Sequence, residues 1–277
     1  MEKSKLSQLK KTATNVRIGI IESVHSAKSG HPGGSLSIAD ILTYLYFEEM
    51  HIDPADPKAP GRDRLVLSKG HAAPALYSVL AERGYLPKSD LLTLRKIDSY
   101  LQGHPDMKHT PGVDMTTGSL GLGISAACGM ALSAKIGNEP YRTYAILGDG
   151  ESEEGQVWEA LMFASHYHLD NLCVILDWNG LQIDGPVEQV MNNTPYAEKF
   201  ASFGYEVVSV DAHDFEQLEK AFAKARQTKG RPTAIIAKSV KGKGVSFREN
   251  QVGWHGAAPN DEQYEQAMAE LTAALKA

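Results

Sequence analysis

The chain has 277 residues, 42% of them hydrophobic and 22% charged, with a formal net charge of −6 and two cysteines. That length suffices for one large α/β domain with a substantial core, and the absence of a basic block excludes nucleic acid or an anionic membrane as a charge-driven partner. No apolar run approaches the roughly twenty residues of a membrane span, and MEKSKLSQLKK has no apolar signal core; a cytoplasmic chain is expected, with Cys128 and Cys173 as reduced core residues.

In chain order, Leu6 to Ala27 has helical spacing, with Leu6, Leu9, Ala13, Val16, Ile20 and Ile21 apolar. Ser29-Gly30-His31-Pro32-Gly33-Gly34 ends it and reads as a loop, since Pro and Gly stop helices. A histidine in such a loop is well placed to face a cavity. A second helix is expected over Ser37 to Phe47, a surface loop over His51 to Asp63, and a short buried strand over Arg64 to Ser68. That strand delivers Lys69-Gly70-His71 to the start of a helix spanning Ala73 to Arg83. His71 there either caps the helix or donates to an anionic oxygen. Lys88 to Arg95 is a short helix, followed by Gly103-His104-Pro105-Asp106 and a polar loop that leaves His109 in solvent. Thr116 to Gly123 is a second Gly-rich segment, readable as a capped helix start. Its glycines do not reproduce the dinucleotide fingerprint. The helix that follows, Ile124 to Ile136, carries small residues that permit close packing, including across a subunit interface.

Ile146 to Gly185 organises the rest. Ala145 to Leu147 is an apolar run ending at Gly148-Asp149-Gly150, Gln156 to His168 has helical spacing, and Leu172 to Leu176 is a second run ending at Asp177-Trp178-Asn179-Gly180. In a right-handed βαβ unit the carboxyl ends of both strands lie side by side, so Asp149 and Asn179 share the rim where open α/β sheets bind ligands. A carboxylate and an amide oxygen suit a hard cation that takes its remaining ligands from phosphate. Glycines flanking the acid let backbone approach a diphosphate at a helix N-terminus. A plain βα turn would also explain Gly-Asp-Gly alone. Downstream, a helix over Asn193 to Phe203, a strand over Tyr205 to Val210, a helix over Asp214 to Arg226 and a strand over Thr233 to Ala237 continue the alternation. This predicts a parallel sheet covered by helices on both faces. The Lys/Gly loop Lys238 to Gly244 is either solvated or a source of positive potential, and a terminal helix runs from Asp261 to Lys276.

Gly-Asp-Gly followed about thirty residues on by an Asn-containing turn resembles the thiamine diphosphate motif. With SGHPGG, LSKGHAAPALYS, GHPD, TTGSLGLG and GWHGAAP in order, nearly the whole chain resembles the N-terminal, diphosphate-binding half of transketolase. The resemblance implies a thiamine diphosphate-binding fold over residues 1–277 as one diphosphate-binding domain. It implies Asp149, the side chain of Asn179 and the carbonyl of Leu181 as metal ligands. Gly150 N–H and His71 would hold the diphosphate, Gly118 and Leu120 the aminopyrimidine, and Ile183 would pack on the cofactor rings. His31 and His104 would face substrate, and His255 both substrate and diphosphate. Glu154 matches a glutamate near the subunit interface; a solvated acid in a helix first turn explains it equally. The resemblance implies Mg2+, with Ca2+ or Mn2+ served by the same oxygens. The implied reaction moves a two-carbon ketol unit from a ketose phosphate to an aldose phosphate, within the pentose phosphate pathway.

The same resemblance leaves a gap. The glutamate that activates the cofactor belongs to a pyrimidine-binding domain, and neither it nor the C-terminal domain lies within this chain. A split transketolase is therefore expected, completed by a C-terminal subunit in a homodimer of heterodimers. An N-terminal fragment of a longer enzyme is the competing explanation. Other readings are a deoxyxylulose-phosphate synthase-like subunit or a non-catalytic cofactor-binding subunit. A nucleotide-binding regulator is disfavoured by the lack of G-x-x-x-x-G-K-[ST].

Overall fold

The structure is a computed structural model, and it describes residues 1–276. In chain order the elements are α1 (Lys3–Ala27), α2 (Pro32–Leu36), α3 (Ala39–Tyr44), β1 (Arg64–Leu67), α4 (Ala73–Arg83), α5 (Gly123–Gly137), β2 (Thr143–Gly148), α6 (Gly155–His166) and β3 (Leu172–Trp178). There follow a two-stranded hairpin, β4 (Leu181–Gln182) and β5 (Gly185–Pro186), then α7 (Val187–Val190), α8 (Tyr196–Ser202), β6 (Glu206–Asp211), α9 (Phe215–Gln227), β7 (Thr233–Lys238) and α10 (Asp261–Lys276).

Five strands form one parallel sheet in the order β1-β2-β3-β7-β6. The chain passes the β7 slot on its way from β3 to β6, then returns to it, so the strand order reverses between β3 and β7. Side chains alternate across the pleat. Tyr144, Ile146, Cys173, Ile175, Ile235 and Ala237 enter one core with α1, α3, α4, α9 and α10. Ala145, Leu147, Val174, Leu176, Ala234 and Ile236 enter the other with α5, α6 and α8. The central strands are apolar on both faces because both are covered, as expected of a parallel sheet. Each fully buried Leu or Ile here contributes roughly 1.5–3 kcal/mol relative to exposure. Both cysteines are free and buried in these cores.

Two local expectations are corrected. The helix expected over Ser37 to Phe47 starts two residues late, at Ala39 after Ile38 leaves helical geometry, and its last turn, Leu45–Glu49, is a π-helix; ahead of it, Pro32 opens α2 inside the expected loop. Ser37, at the break, donates its hydroxyl to buried Asp177 at 2.7 Å, so the chain bends to meet the sheet. The helix expected from Asn193 starts at Tyr196, because Pro195 occupies the position before it in extended geometry. Asn193 is buried and donates to Ser152 Oγ at 2.7 Å. Glu151 is buried.

Arg17 in α1 and Asp40 in α3 form a buried two-pronged ion pair, and His213 Nδ1 lies 2.7 Å from Asp40 Oδ2. Burial raises the Asp40 carboxyl, but Arg17 and His213 outweigh it and hold it at about 2. With an unfolded value near 3.9, the unfolded chain binds more protons in between, so a contribution of the order of 2 kcal/mol is present above about pH 4 and lost as pH falls through 2. Denaturant melts should therefore show falling stability over that window, with a shallower slope in Asp40→Asn. Identical slopes in the two proteins would refute this account.

Candidate active site

Parallel pairing brings the carboxyl ends of β1, β2, β3 and β7 to one edge, beside the reversal in strand order. A cavity of about 560 Å³ opens there. Every residue to which the resemblance gives a site role lines it: His31, His71, His104 and His255, Asp149, Gly150, Asn179 and Leu181, and Gly118, Leu120, Ile183 and Glu154. His109 is exposed and pairs with Asp106 at 2.6 Å, away from the cavity.

The floor is built on Asp177, wholly buried near the end of β3. Its Oδ2 accepts from Lys69 Nζ at 2.6 Å, Ser37 Oγ at 2.7 Å and Asn179 Nδ2 at 2.9 Å, while Ser239 Oγ donates to Oδ1 at 2.5 Å. Burial opposes ionisation, but Lys69 and the donors hold the carboxyl below its ordinary value. Because the Asn179 amide nitrogen is committed to Asp177, the amide oxygen is the atom free to face other partners. It accepts from Leu181 N at 3.1 Å.

Asp149 follows β2. Its oxygens accept from Gly150 N at 2.9 Å and Gly180 N at 2.5 Å, which link the two rim turns directly. Burial, reinforced by the Asp177 charge, pushes this carboxyl up to about 6 despite those donors. Glu151 clamps the opposite side: Gly148 N and Gly121 N donate to it at 3.0 and 2.9 Å, and Ser68 Oγ at 2.5 Å. One side chain thereby ties the β1, β2 and Thr116–Gly123 segments together.

Three histidines form a triangle above this floor. Ring centroids are 5.2 Å apart for His31 and His71, 5.5 Å for His31 and His255, and 5.3 Å for His71 and His255. His104 stands at the exposed rim against Gly118. Desolvation lowers all four, with neighbouring cations adding to it; His71 lies well below the ordinary value and His255 at about 3. The imidazoles are therefore neutral at pH 7, able both to donate and to accept.

Lys241 reaches in from the loop after β7. It is 2% exposed, and its Nζ lies 2.8 Å from Leu181 O and 2.8 Å from His255 Nδ1. Burial pulls the ammonium down to about 8. A donor on Nδ1 leaves the His255 proton on Nε2. Lys69, Lys241, Asp177 and Glu151 were not singled out as site residues from sequence. The available signal was a charge at the end of each apolar strand, in LVLSK and VILD, which an unburied loop residue would mimic.

Several features fit an anionic ligand and a cation. Two buried ammonium groups and neutral imidazoles line the walls, and His31 Nδ1 is buried without a hydrogen-bond partner among the described residues. The raised Asp149 carboxyl is short of positive charge, and the Leu181 carbonyl already accepts from an ammonium. Among the described residues no group of three or more His, Cys, Asp or Glu side chains could hold a metal ion. A cation here would take one carboxylate, one amide oxygen and one carbonyl, a hard-ion set that needs further oxygens from its ligand.

Comparison with known proteins agrees with this geometry. Residues 8–274 match the family "Transketolase, thiamine diphosphate binding domain". The chain is 45% identical to 6-deoxy-6-sulfo-D-fructose transketolase subunit SqwG of Clostridium sp. (strain MSTE9), covering 95% of this chain and 96% of that protein. It is 41% identical to an apulose-4-phosphate transketolase subunit of Phocaeicola vulgatus, covering 91% of this chain and 90% of that protein. Transketolase from Leishmania mexicana superposes with a TM-score of 0.89 at 33% identity, over 97% of this chain and 44% of that one. The chain likewise spans 43% of the length of human transketolase, to which it is 46% identical.

Removing the Lys241 ammonium should raise the His255 imidazole, because a cation beside Nδ1 disfavours protonation. Lys241→Met is expected to lift its midpoint by about one unit while burial keeps it under the ordinary 6.5. Imidazole NMR titration reads this directly, and an unmoved midpoint would contradict the assigned contact.

Proposed function

The chain belongs to the transketolase family, and from that premise we propose that it is the N-terminal subunit of a split transketolase, transferring a two-carbon ketol unit from a ketose phosphate to an aldose phosphate. Residues 1–277 act as a single diphosphate-binding domain. A C-terminal subunit brings the pyrimidine-binding domain, and the two assemble as a homodimer of heterodimers in the cytoplasm, within the pentose phosphate pathway. The observation that carries this reading is the histidine triangle facing the Asp149–Asn179 rim across one cavity. No helix among the described residues is long and apolar enough to cross a membrane.

In this reading Asp149, the Asn179 amide oxygen and the Leu181 carbonyl hold Mg2+, with Ca2+ or Mn2+ as substitutes. Gly150 N–H, His71 and Lys241 receive the diphosphate, Gly118 and Leu120 the aminopyrimidine, and Ile183 the rings. When bound, thiamine diphosphate supplies the stabilisation of negative charge at the substrate carbon that ketol transfer requires. This chain's residues hold substrate and handle protons. Nε2–H of His255 and the rings of His31 and His104 are placed to hydrogen-bond ketose oxygens. Burial keeps them neutral, and an anionic diphosphate alongside would raise them toward the working pH, where proton exchange is most efficient. The Lys69–Asp177 pair keeps the floor rigid as charge enters. Glu154, exposed at the rim, is within reach of the partner.

Calorimetry with thiamine diphosphate and Mg2+, run with and without the C-terminal subunit, tests the reading together with a ketol-transfer assay. Expected are cofactor binding lost in Asp149→Ala and turnover only when both subunits are present. Full turnover by this chain alone would overturn the split-enzyme reading, and binding without turnover in the complete complex would favour a non-catalytic subunit.

A further inference from the structure

Lys241 enters the cavity from a loop that is gripped from behind by side chains that do not line the cavity. The Arg17 guanidinium meets both oxygens of Asp40, with Nη1 3.1 Å from Oδ1, and the pair is buried. Asp40 Oδ2 also takes the Nδ1 proton of His213 at 2.7 Å. The other ring nitrogen, Nε2, accepts the backbone N–H of Val240 at 3.0 Å. A nitrogen that accepts carries no proton, so His213 is the neutral Nδ1–H tautomer, oriented by a carboxylate as a metal-bound or catalytic imidazole commonly is. Arg17 completes the grip by donating from Nε to Lys243 O at 3.1 Å. The two contacts fall at 240 and 243, on either side of Lys241.

The loop approaches this closely only because of its glycines. Gly242 and Gly244 sit at φ +81° and +93°, and a Cβ at 244 would stand 2.9 Å from Arg17 Cδ. Gly242 N also donates to Gly33 O at 3.1 Å, and Lys241 O accepts from Asn250 N at 2.9 Å. The backbone on each side of Lys241 is thus fixed, and its ammonium stands between Leu181 O and His255 Nδ1.

We propose that Arg17, Asp40 and His213 are positioning residues for the reaction: an ion pair between α1 and α3 orients the His213 imidazole, which with Arg17 sets the reach of Lys241 into the cavity. The arrangement preorganises a cation where an anionic ligand arrives, so that its position costs little reordering on binding. The ligand part of this proposal rests on the reading of the cavity as a thiamine diphosphate site; the loop part does not.

The test uses the full chain and the variants His213→Ala, His213→Gln, Lys241→Met and the double variant His213→Ala/Lys241→Met. Gln keeps one acceptor and one donor on a planar group and so serves as the conservative rescue. In His213→Ala, hydrogen exchange at the Val240 amide should quicken by about tenfold, the loss of one hydrogen bond, with β3 and β7 amides unchanged. The His255 Nδ1 resonance should move as the ammonium beside it withdraws. Affinity for thiamine diphosphate with Mg2+ should fall by roughly tenfold. Gln should recover most of each effect, and the double variant should bind no worse than Lys241→Met. Wild-type Val240 exchange and an unmoved His255 resonance in His213→Ala would overturn the proposal, as would affinity losses that simply multiply in the double variant. If the wild-type chain and its complex bind no thiamine diphosphate, the reading of the cavity fails, and the exchange and resonance measurements alone decide whether His213 positions Lys241.

Discussion

One buried carboxylate, Asp177, ties together the four segments that make the cavity floor. Through it β3 is joined to Lys69 after β1, to Ser37 between α2 and α3, to Asn179 at its own end and to Ser239 after β7. An ion pair taken out of water is stable only when its remaining donors and acceptors are also satisfied. Here the carboxylate has four donors, and Lys69 Nζ has a second acceptor in Gly34 O at 2.8 Å. Removing either charge would strand the other, at a cost of about 3–5 kcal/mol in comparable buried pairs. The network therefore fixes the relative positions of strand ends more tightly than backbone pairing alone would.

The site's electrostatics follow from that floor. Negative charge is concentrated at Asp149 and Asp177, positive charge at Lys69 and Lys241, and the imidazoles between them are kept neutral by burial. Asp149 is pushed up to about 6 while Asp177, at the end of the neighbouring strand on the same rim, is held down. The difference lies in partners: Asp177 has an ammonium of its own, whereas Asp149 has only backbone N–H groups. A carboxylate in that state gains from a divalent cation, and the neighbouring amide and carbonyl oxygens complete a hard-ion set.

A second buried network, Arg17–Asp40–His213, lies outside the cavity and reaches the same loop from the other side. Asp177 and Asp40 thus play parallel parts. Each is a carboxylate in the dry interior, each is satisfied by a cation and neutral donors, and each holds a chain segment that leaves the sheet. Loops that carry binding groups are ordinarily the mobile parts of a fold. Here backbone contacts at Val240, Gly242 and Lys243 remove that freedom from the segment carrying Lys241.

Much of this was legible in the sequence because its signals are local. Apolar runs of strand length, alternating with helical spacing, determined a parallel α/β sheet, and Gly-Asp-Gly with a later Asn turn determined which strand ends face each other. That His31, His71, His104 and His255 share one site was implied by the resemblance of their motifs to transketolase, not by periodicity or spacing. Only the tertiary structure decided the rest. Lys69 and Lys241 read as loop residues, since a lysine beside glycine looks the same whether solvated or buried, and their burial depends on Asp177 and on Leu181 O, each 60 or more residues distant. Glu151 carries no local signal of burial, and it is the packing of the Thr116–Gly123 segment against it that buries it. The break at Ile38 is likewise tied to a distant partner, Asp177, whereas the late start of α8 has a local cause in Pro195. Periodicity specifies which residues turn inward; which buried charges then find one another is settled by the strand order, because satisfaction of a charge in a dry interior is a property of the assembled contacts and not of any segment.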